Sequence, residues 1–488
     1  MLTSLVFLRF SVTVVPGLLV SSLVGQSLIW SAEEEIGPGG LDYLRPRVYL
    51  AANGEPVVLW GDDGMHAVHG ALSVGGGLWV EMEVSALVQG HPYVGDWTGP
   101  QSASDGTDAW AVYGTGSSAD GPIYLHHFVN GFPSIGDTLR IDPPAGEEYK
   151  LPSVAALPNG EAAVLVMRTA SGWLDAEYIL IRTTAGGTAF LPPVPVSTPI
   201  APGEVCDCCT GEVMSSGNTV VALFRNNDNN LRSIWAVVSN DGGATFGAGA
   251  EVDPTAWTIN ACPSSGPDAY IAGDSLRFVF MSGAVNGTKS YGRGLHLQTL
   301  GLGPLIDLWP GQPMSQSQNF PRIAGNADTL GVVWQQGQAG QFEILFRWSV
   351  TGWGGLSTAD TVHSSTTGAQ KNPDITFGNG AFHIVWQDAP SATVHYRKAT
   401  IPSDVAVNEH LAKQTLMVWP VPAGDDLFLN APEGGDFAVH DAPGRIVLSG
   451  VFTGAPIDVS VLRNGVFTIS LNGPGAFPLR RRTILIAR

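Results

Sequence analysis

Four cysteines stand in two short groups, Cys206-Asp207-Cys208-Cys209 and Ala261-Cys262-Pro263. An even count in an oxidising compartment reads first as paired disulfides, one between the groups and one inside the Cys-x-Cys-Cys segment. Three or four convergent thiolates would also suit zinc or copper, which take soft sulfur ligands. Cys206, Cys208, Cys209 and Cys262 are therefore candidate metal ligands as the alternative to disulfides. A second set of residues is suited to hydrogen-bonding a polar ligand: Arg45, Arg47, Asp62, Asp63, Arg168, Arg225, Asn226, Asn227, Asp228, Gln335, Gln387 and Asp388. Planar amides, carboxylates and guanidinium groups beside Trp60, Trp334 and Trp386 would fit a sugar. The three indole rings themselves read as core. His126 and His127 are adjacent, and adjacent strand residues point to opposite faces, which argues against joint metal ligation.

The elements that must position these residues are strands. The chain has 488 residues, of which 14% are charged, with 61 glycines and 14 tryptophans. That profile suits an all-β protein rich in tight turns. A formal net charge of −19 argues against nucleic acid as a partner, since phosphate repels a net anion that lacks a basic stripe. Arg480 to Arg482 form the one basic cluster, too short to be such a stripe.

An internal repeat decides the architecture. Pro46-Arg47-Val48 leads through a turn to Val58-Leu59-Trp60, and Pro321-Arg322-Ile323 leads likewise to Val332-Val333-Trp334. Pro373-Asp374-Ile375 leads to Ile384-Val385-Trp386, Pro152-Ser153-Val154 to Val164-Leu165-Val166, and Pro267 to Phe278-Val279-Phe280. Weaker copies run from Pro100 to Tyr113 and from Thr210 to Phe224. Seven anchors at intervals of roughly fifty to sixty residues match the size of a four-stranded propeller blade. Each proline is expected at the first residue of an innermost strand, where no ladder donor is lost. The last unit lacks a fourth strand, so residues near the N-terminus are expected to supply it and close the ring. Both cysteine groups precede innermost strands of adjacent blades, so their sulfurs should converge on one face. Cys209 and Cys262 are expected within bridging reach, their Cα atoms under about 7 Å apart.

Further motifs carry a resemblance to known families. Ser239-Asn240-Asp241-Gly242-Gly243-Ala244-Thr245-Phe246 resembles the Asp-box turn of sialidase-like propellers, a structural element on the face opposite the sialidase active site. The cysteine segment, Phe224-Arg225-Asn226-Asn227 and Cys262-Pro263-Ser264-Ser265-Gly266-Pro267 are similar to exported sialidase-like proteins known by fold alone. That resemblance by itself implies six blades, against the seven repeats counted. A sialidase would also need three arginines on the substrate carboxylate, a tyrosine nucleophile with a glutamate partner, and an acid/base residue. Arg45, Arg47, Arg168, Arg225 and Arg322 are available by type. The family's Arg-Ile-Pro run is absent, Arg45-Pro46-Arg47-Val48 standing instead, and Tyr291 and Tyr396 are nucleophile candidates by type only.

At the C-terminus, Val418-Trp419-Pro420-Val421-Pro422-Ala423, Gly444-Arg445, Ile457-Asp458-Val459-Ser460 and Gly465-Val466-Phe467 resemble the sorting domain of type IX secretion, a small β-sandwich. Val421 departs from the asparagine usual there. At the other end, Arg9 precedes an apolar run from Phe10 to Val24, interrupted by Pro16, the pattern of a cleaved signal peptide. The expected organisation is a signal peptide over 1–26, a sialidase-like β-propeller over 27–402, a linker over 403–415 and a sorting domain over 416–488. The expected function is an exported propeller, secreted or surface-attached by way of the periplasm. It would be delivered by the type IX machinery, have no transmembrane segment after cleavage, and bind a glycan or other polar ligand on its cysteine-bearing face. An exo-α-sialidase or related glycoside hydrolase is the alternative.

Overall fold

The structure is a computed structural model that describes residues 27–37, 42–117, 120–284, 287–310, 317–338, 341–365, 367–402, 418–429, 435–472 and 480–488. The expected signal peptide and linker lie outside the described residues. The expected fold class, an all-β propeller followed by a small β-sandwich, is the fold observed. Two compact units separate at the chain positions 400/401, with Ile29–Thr400 forming the first.

Seven antiparallel sheets of four or five strands build that first unit, so the repeat count of seven holds among the described residues. The innermost strands are Tyr43–Leu50, Gln101–Ser104, Glu147–Leu157, Glu212–Ser216, Asp268–Ala272, Ser317–Asn326 and Gln370–Gly378, in blades 1 to 7 respectively. Each contacts the next, and the seventh contacts the first, closing a ring. The second strand of each blade is buried on both faces, as in Pro56–Asp62 and Ala381–Asp388, because blades cover it on either side. Trp60, Trp110, Trp334 and Trp386 are wholly buried there, so their rings are core. The missing outer strand of blade 7 comes from the N-terminal side: Ile29–Trp30 and Glu34–Ile36 both pair with Thr393–Thr400.

The anchor prolines differ from expectation in four blades. Pro46, Pro152, Pro321 and Pro373 lie inside their innermost strands, each at a break in register. The residue before each proline, namely Arg45, Leu151, Phe320 and Asn372, has φ between 48° and 53°. A left-handed residue followed by proline is a β-bulge: the proline's missing donor falls where the ladder is already interrupted. Bulges re-aim side chains, and three of these four left-handed residues meet at one mouth of the channel, as described below.

In blade 4, the turn after Ile234–Ser239 is held by its own side chains. Asp241 Oδ1 accepts from the Thr245 amide at 2.9 Å and from the Ser239 hydroxyl at 2.6 Å. Gly242 and Gly243 take φ of 69° and 80°, and Phe246 is buried against blade 3 residues including Leu180. These bonds pull the Asp241 carboxyl down to about 2.

The second unit has a three-stranded sheet (Val418–Trp419, Asp426–Leu429, Ile457–Asp458) and a four-stranded one led by Ile446–Val451 and Asp436–His440. Leu427, Val439, Val459, Ile469, Ile484 and Ile486 fill its core. No described helix is long and apolar enough to cross a membrane.

Candidate functional site

Strand direction gives the propeller two faces. At one, the cysteine face, innermost strands begin and second strands end. At the other, the turn face, the hairpins between first and second strands lie. Each has a cavity.

The cysteine-face cavity, about 360 Å3, lies between blades 1 and 7 and is lined by Asp42, Asp63, Asp96, Lys371 and Gln387 among others. Asp63 follows the second strand of blade 1 and is exposed. Asp96, on the loop leading into blade 2, stands 3.3 Å from Lys371 Nζ at the start of blade 7. Trp97 follows Asp96 and is half-buried, its ring 6.2 Å from that of Trp173 on the same face and 5.9 Å from Tyr93. Lys150 Nζ lies 3.9 Å over the Trp173 ring. Carboxylates, ammonium groups and half-buried indoles are a combination that takes polar ligands with an apolar face. Of the expected site residues, Asp63 and Gln387 line this cavity. Asp42, Asp96, Trp97 and Trp173 were missed because they lie in loops outside the repeat, and Lys371 because it precedes the anchor proline of its strand by two residues.

At the channel mouth beside this cavity the bulge residues converge. Arg45 Nη1 donates to Asn372 Oδ1 at 3.1 Å, and its guanidinium sits 4.8 Å over the Phe320 ring. Asn372 donates its amide N–H to Gln335 Oε1 at 3.1 Å and its side-chain nitrogen to Gln387 Oε1 at 3.0 Å. The structure thus brings Arg45, Gln335 and Gln387 together, in a network that ties blades 1, 6 and 7. Burial and the charges of Arg47 and Arg322 hold the Arg45 guanidinium well below its ordinary value.

The remaining expected residues serve the framework. Arg225 is fully buried, donating to the carbonyls of Ser265, Arg232 and Met281. Arg168 pairs with Glu177. Asp62 is buried and accepts from the Met65 amide, and Asp388 accepts from Gln370 and Ser391. Asn226 donates to the Pro202 carbonyl, and Asp228 accepts from Asn229 in an exposed turn. Tyr396 bonds His383 at 2.7 Å, and Tyr291 packs on Phe280. His126 and His127 turn to different partners, Tyr113 and Asp108. Three arginines free to grip one carboxylate are not assembled among the described residues.

Arg47 belongs instead to the turn-face cavity, about 500 Å3, which it lines with Glu212, Asp268, Arg322 and Asp374. All five occupy corresponding places in the repeat: Arg47, Arg322 and Asp374 directly follow a bulge proline, and Glu212 and Asp268 are the first residues of their innermost strands. Arg322 lies 2.8 Å from Asp374, 3.3 Å from Glu212 and 3.5 Å from Asp268. Arg47 donates to Gln101 Oε1 at 2.8 Å. Burial lowers the Arg47 guanidinium to about 10 and raises the Glu212 carboxyl to about 7. The charged residue directly after the anchor prolines Pro46, Pro267, Pro321 and Pro373 was the readable signal for four members of this ring.

The cysteines converge on the cysteine face as expected, with a different pairing. Cys208, not Cys209, bridges to Cys262, their Cα atoms 6.2 Å apart. Cys209 is buried, and its carbonyl accepts from Tyr178 Oη at 2.7 Å, whereas Cys208, one residue earlier in the same turn, reaches Cys262 ahead of the next blade. Cys206 and Cys209 are buried free thiols with Sγ atoms 2.6 Å apart. Two thiolates on one tetrahedral zinc would stand roughly 3.8 Å apart. The pair as arranged is too close for that.

No family model matches the chain, and no curated protein does. Solved structures that match include an ulvan lyase from a polysaccharide lyase family, 10% identical over 77% of this chain and 99% of that one, TM-score 0.48. Trypanosoma rangeli sialidase matches at 11% identity over 85% of this chain and 68% of that one, TM-score 0.44. PorZ, a surface component of the type IX secretion system of Porphyromonas gingivalis, matches at 13% identity over 93% of this chain and 60% of that one, TM-score 0.41.

Proposed function

We propose that the chain is an exported binding protein whose propeller holds a glycan in the cysteine-face cavity between blades 1 and 7. The observation that carries this reading is the grouping of Asp63, Asp96, Lys371 and Gln387 around that cavity, with the half-buried Trp97 adjoining Asp96. Carboxylates and amides bond sugar hydroxyls, and an indole face covers the apolar side of a pyranose ring. The C-terminal sandwich, with its Trp419-Pro420 and Ile457-Asp458-Val459-Ser460 motifs, is the proposed sorting signal for type IX secretion, and residues 1–26 the proposed leader. The hydrolase alternative draws no support from the candidate arginines Arg45, Arg47, Arg168, Arg225 and Arg322, each of which bonds carbonyls, carboxylates or amides of the protein itself.

The test is a glycan array with the mature protein, followed by calorimetry on the best ligand. Saturable binding, weakened at least about tenfold by Trp97→Ala as expected for a lost stacking anchor, supports the reading. Release of fluorophore from a fluorogenic sialoside, or binding unchanged in that variant, sinks it.

A further inference from the structure

The two thiols left outside the bridge are the least explained buried groups in the molecule. Cys206 and Cys209 Sγ atoms stand 2.6 Å apart, inside the about 3.5–4 Å at which non-bonded heavy atoms rest. Cys206 Sγ is also 3.7 Å from Cys208 Sγ. Two buried arginines flank the pair, and neither has a carboxylate partner among the described residues. Arg225 is satisfied by three carbonyls, whereas Nε and Nη1 of Arg232 have no hydrogen-bond partner among the described residues. Unpaired guanidinium charge in a buried site favours an anion beside it. Burial raises the Cys209 thiol, but the Cys206 hydrogen bond, the Arg225 charge, the Ser265 amide and the Arg232 charge outweigh it and bring it to about 7. A thiolate stabilised by arginines within a Cys-x-x-Cys spacing is the arrangement of an exchangeable sulfur.

We propose that Cys206 and Cys209 are a redox-active pair that closes into a second disulfide, and that external thiols reach it only through the Cys208–Cys262 bridge. Closure takes place during folding, by exchange with a disulfide-bearing oxidant. The Cys209 thiolate attacks the oxidant's sulfur and expels one thiolate. Cys206 then gives up its proton and attacks Cys209 Sγ, expelling the second. Two protein thiols are oxidised and one external disulfide becomes two thiols.

Reopening begins at Cys262, which is exposed, while Cys206 and Cys209 are buried. An external thiolate attacks Cys262 Sγ, and Cys208 leaves as thiolate. Cys208 attacks Cys206, forming a Cys206–Cys208 bond, and Cys209 leaves as the thiolate that Arg225 and Arg232 stabilise. A second external thiol resolves the mixed disulfide and frees Cys262. One protein disulfide has been reduced, and the remaining one has moved.

Peptide mapping of the mature wild-type protein tests both parts. Denatured without reductant and alkylated, it should carry no label on any cysteine. Labels on Cys206 and Cys209, with or without a stoichiometric metal, overturn the second disulfide. Treated in the native state with a small monothiol and then alkylated, it should carry labels on Cys209 and Cys262, with Cys206 joined to Cys208. Labels on Cys208 and Cys262, with Cys206 and Cys209 still joined, overturn the relay. Cys262→Ser offers a second readout: its single free thiol should map to Cys209, and mapping to Cys208 counts against the relay.

Discussion

At the turn face, the larger cavity is walled by charges that answer one another. Arg322 alone faces three carboxylates, from blades 4, 5 and 7. On the cysteine face, the smaller cavity keeps Asp63 and Asp96 open to solvent, and its one ammonium makes only an exposed pair. Both cavities draw residues from several blades, so convergence alone does not mark a binding site. What separates them is whether the charges are already satisfied. The turn-face ring works as a structural hub at the axis, and the cysteine face retains capacity for a ligand.

That contrast can be broken most decisively at Arg322. Replacement by methionine strands Glu212, Asp268 and Asp374 in a buried site and should cost about 3–5 kcal/mol, read by denaturant unfolding. A loss under about 1 kcal/mol would mean the ring is not the hub described. Next in size is Cys262→Ser, which removes the crosslink between blades 4 and 5 and should cost about 2–4 kcal/mol.

A smaller effect is expected from pH. The folded Glu212 carboxyl ionises at about 7, against its ordinary 4.5. Between these values the folded state holds a proton that the unfolded chain has lost, so stability should fall as pH rises from about 4.5 to 7. Glu212→Gln should flatten that part of the profile, and an unchanged slope would assign it elsewhere. The smallest effect belongs to Asp96→Ala, which should leave stability within about 0.5 kcal/mol while weakening glycan binding. If it destabilised the fold as much as the Arg322 change, the two cavities would not differ in kind.

The propeller was legible because each repeat carries its own turn and β-branched or aromatic strand, and six of the seven an anchor proline, signals that act within a few dozen residues. The blade 7 closure was legible for the complementary reason: a unit short of one strand must obtain it from elsewhere. The bulges were not, since a proline inside a strand at a bulge and one at its start look alike in one dimension. The charge ring escaped because Arg322 finds its partners in three other repeats, none nearer than about fifty residues along the chain. The site residues were chosen by type, and type does not show whether a side chain is already spoken for. Arg225 and Asp63 look equally suitable on paper. One is bonded to three carbonyls and the other is open to water.

The clasp in blade 7 also fixes when the molecule is finished. Glu33 meets His395 at 2.7 Å across 362 residues of sequence. As the chain folds from its N-terminal side, six blades can form in order, but the ring stays open until Thr393–Thr400 is available and the N-terminal strands are still free to join it. Throughout that interval blades 1 and 6 each lack a neighbour, and their uncovered faces are the surfaces on which an incomplete copy would stick to another. The order in which the N-terminal strands and Thr393–Thr400 meet therefore decides whether the last sheet is built from one chain or borrowed from a second.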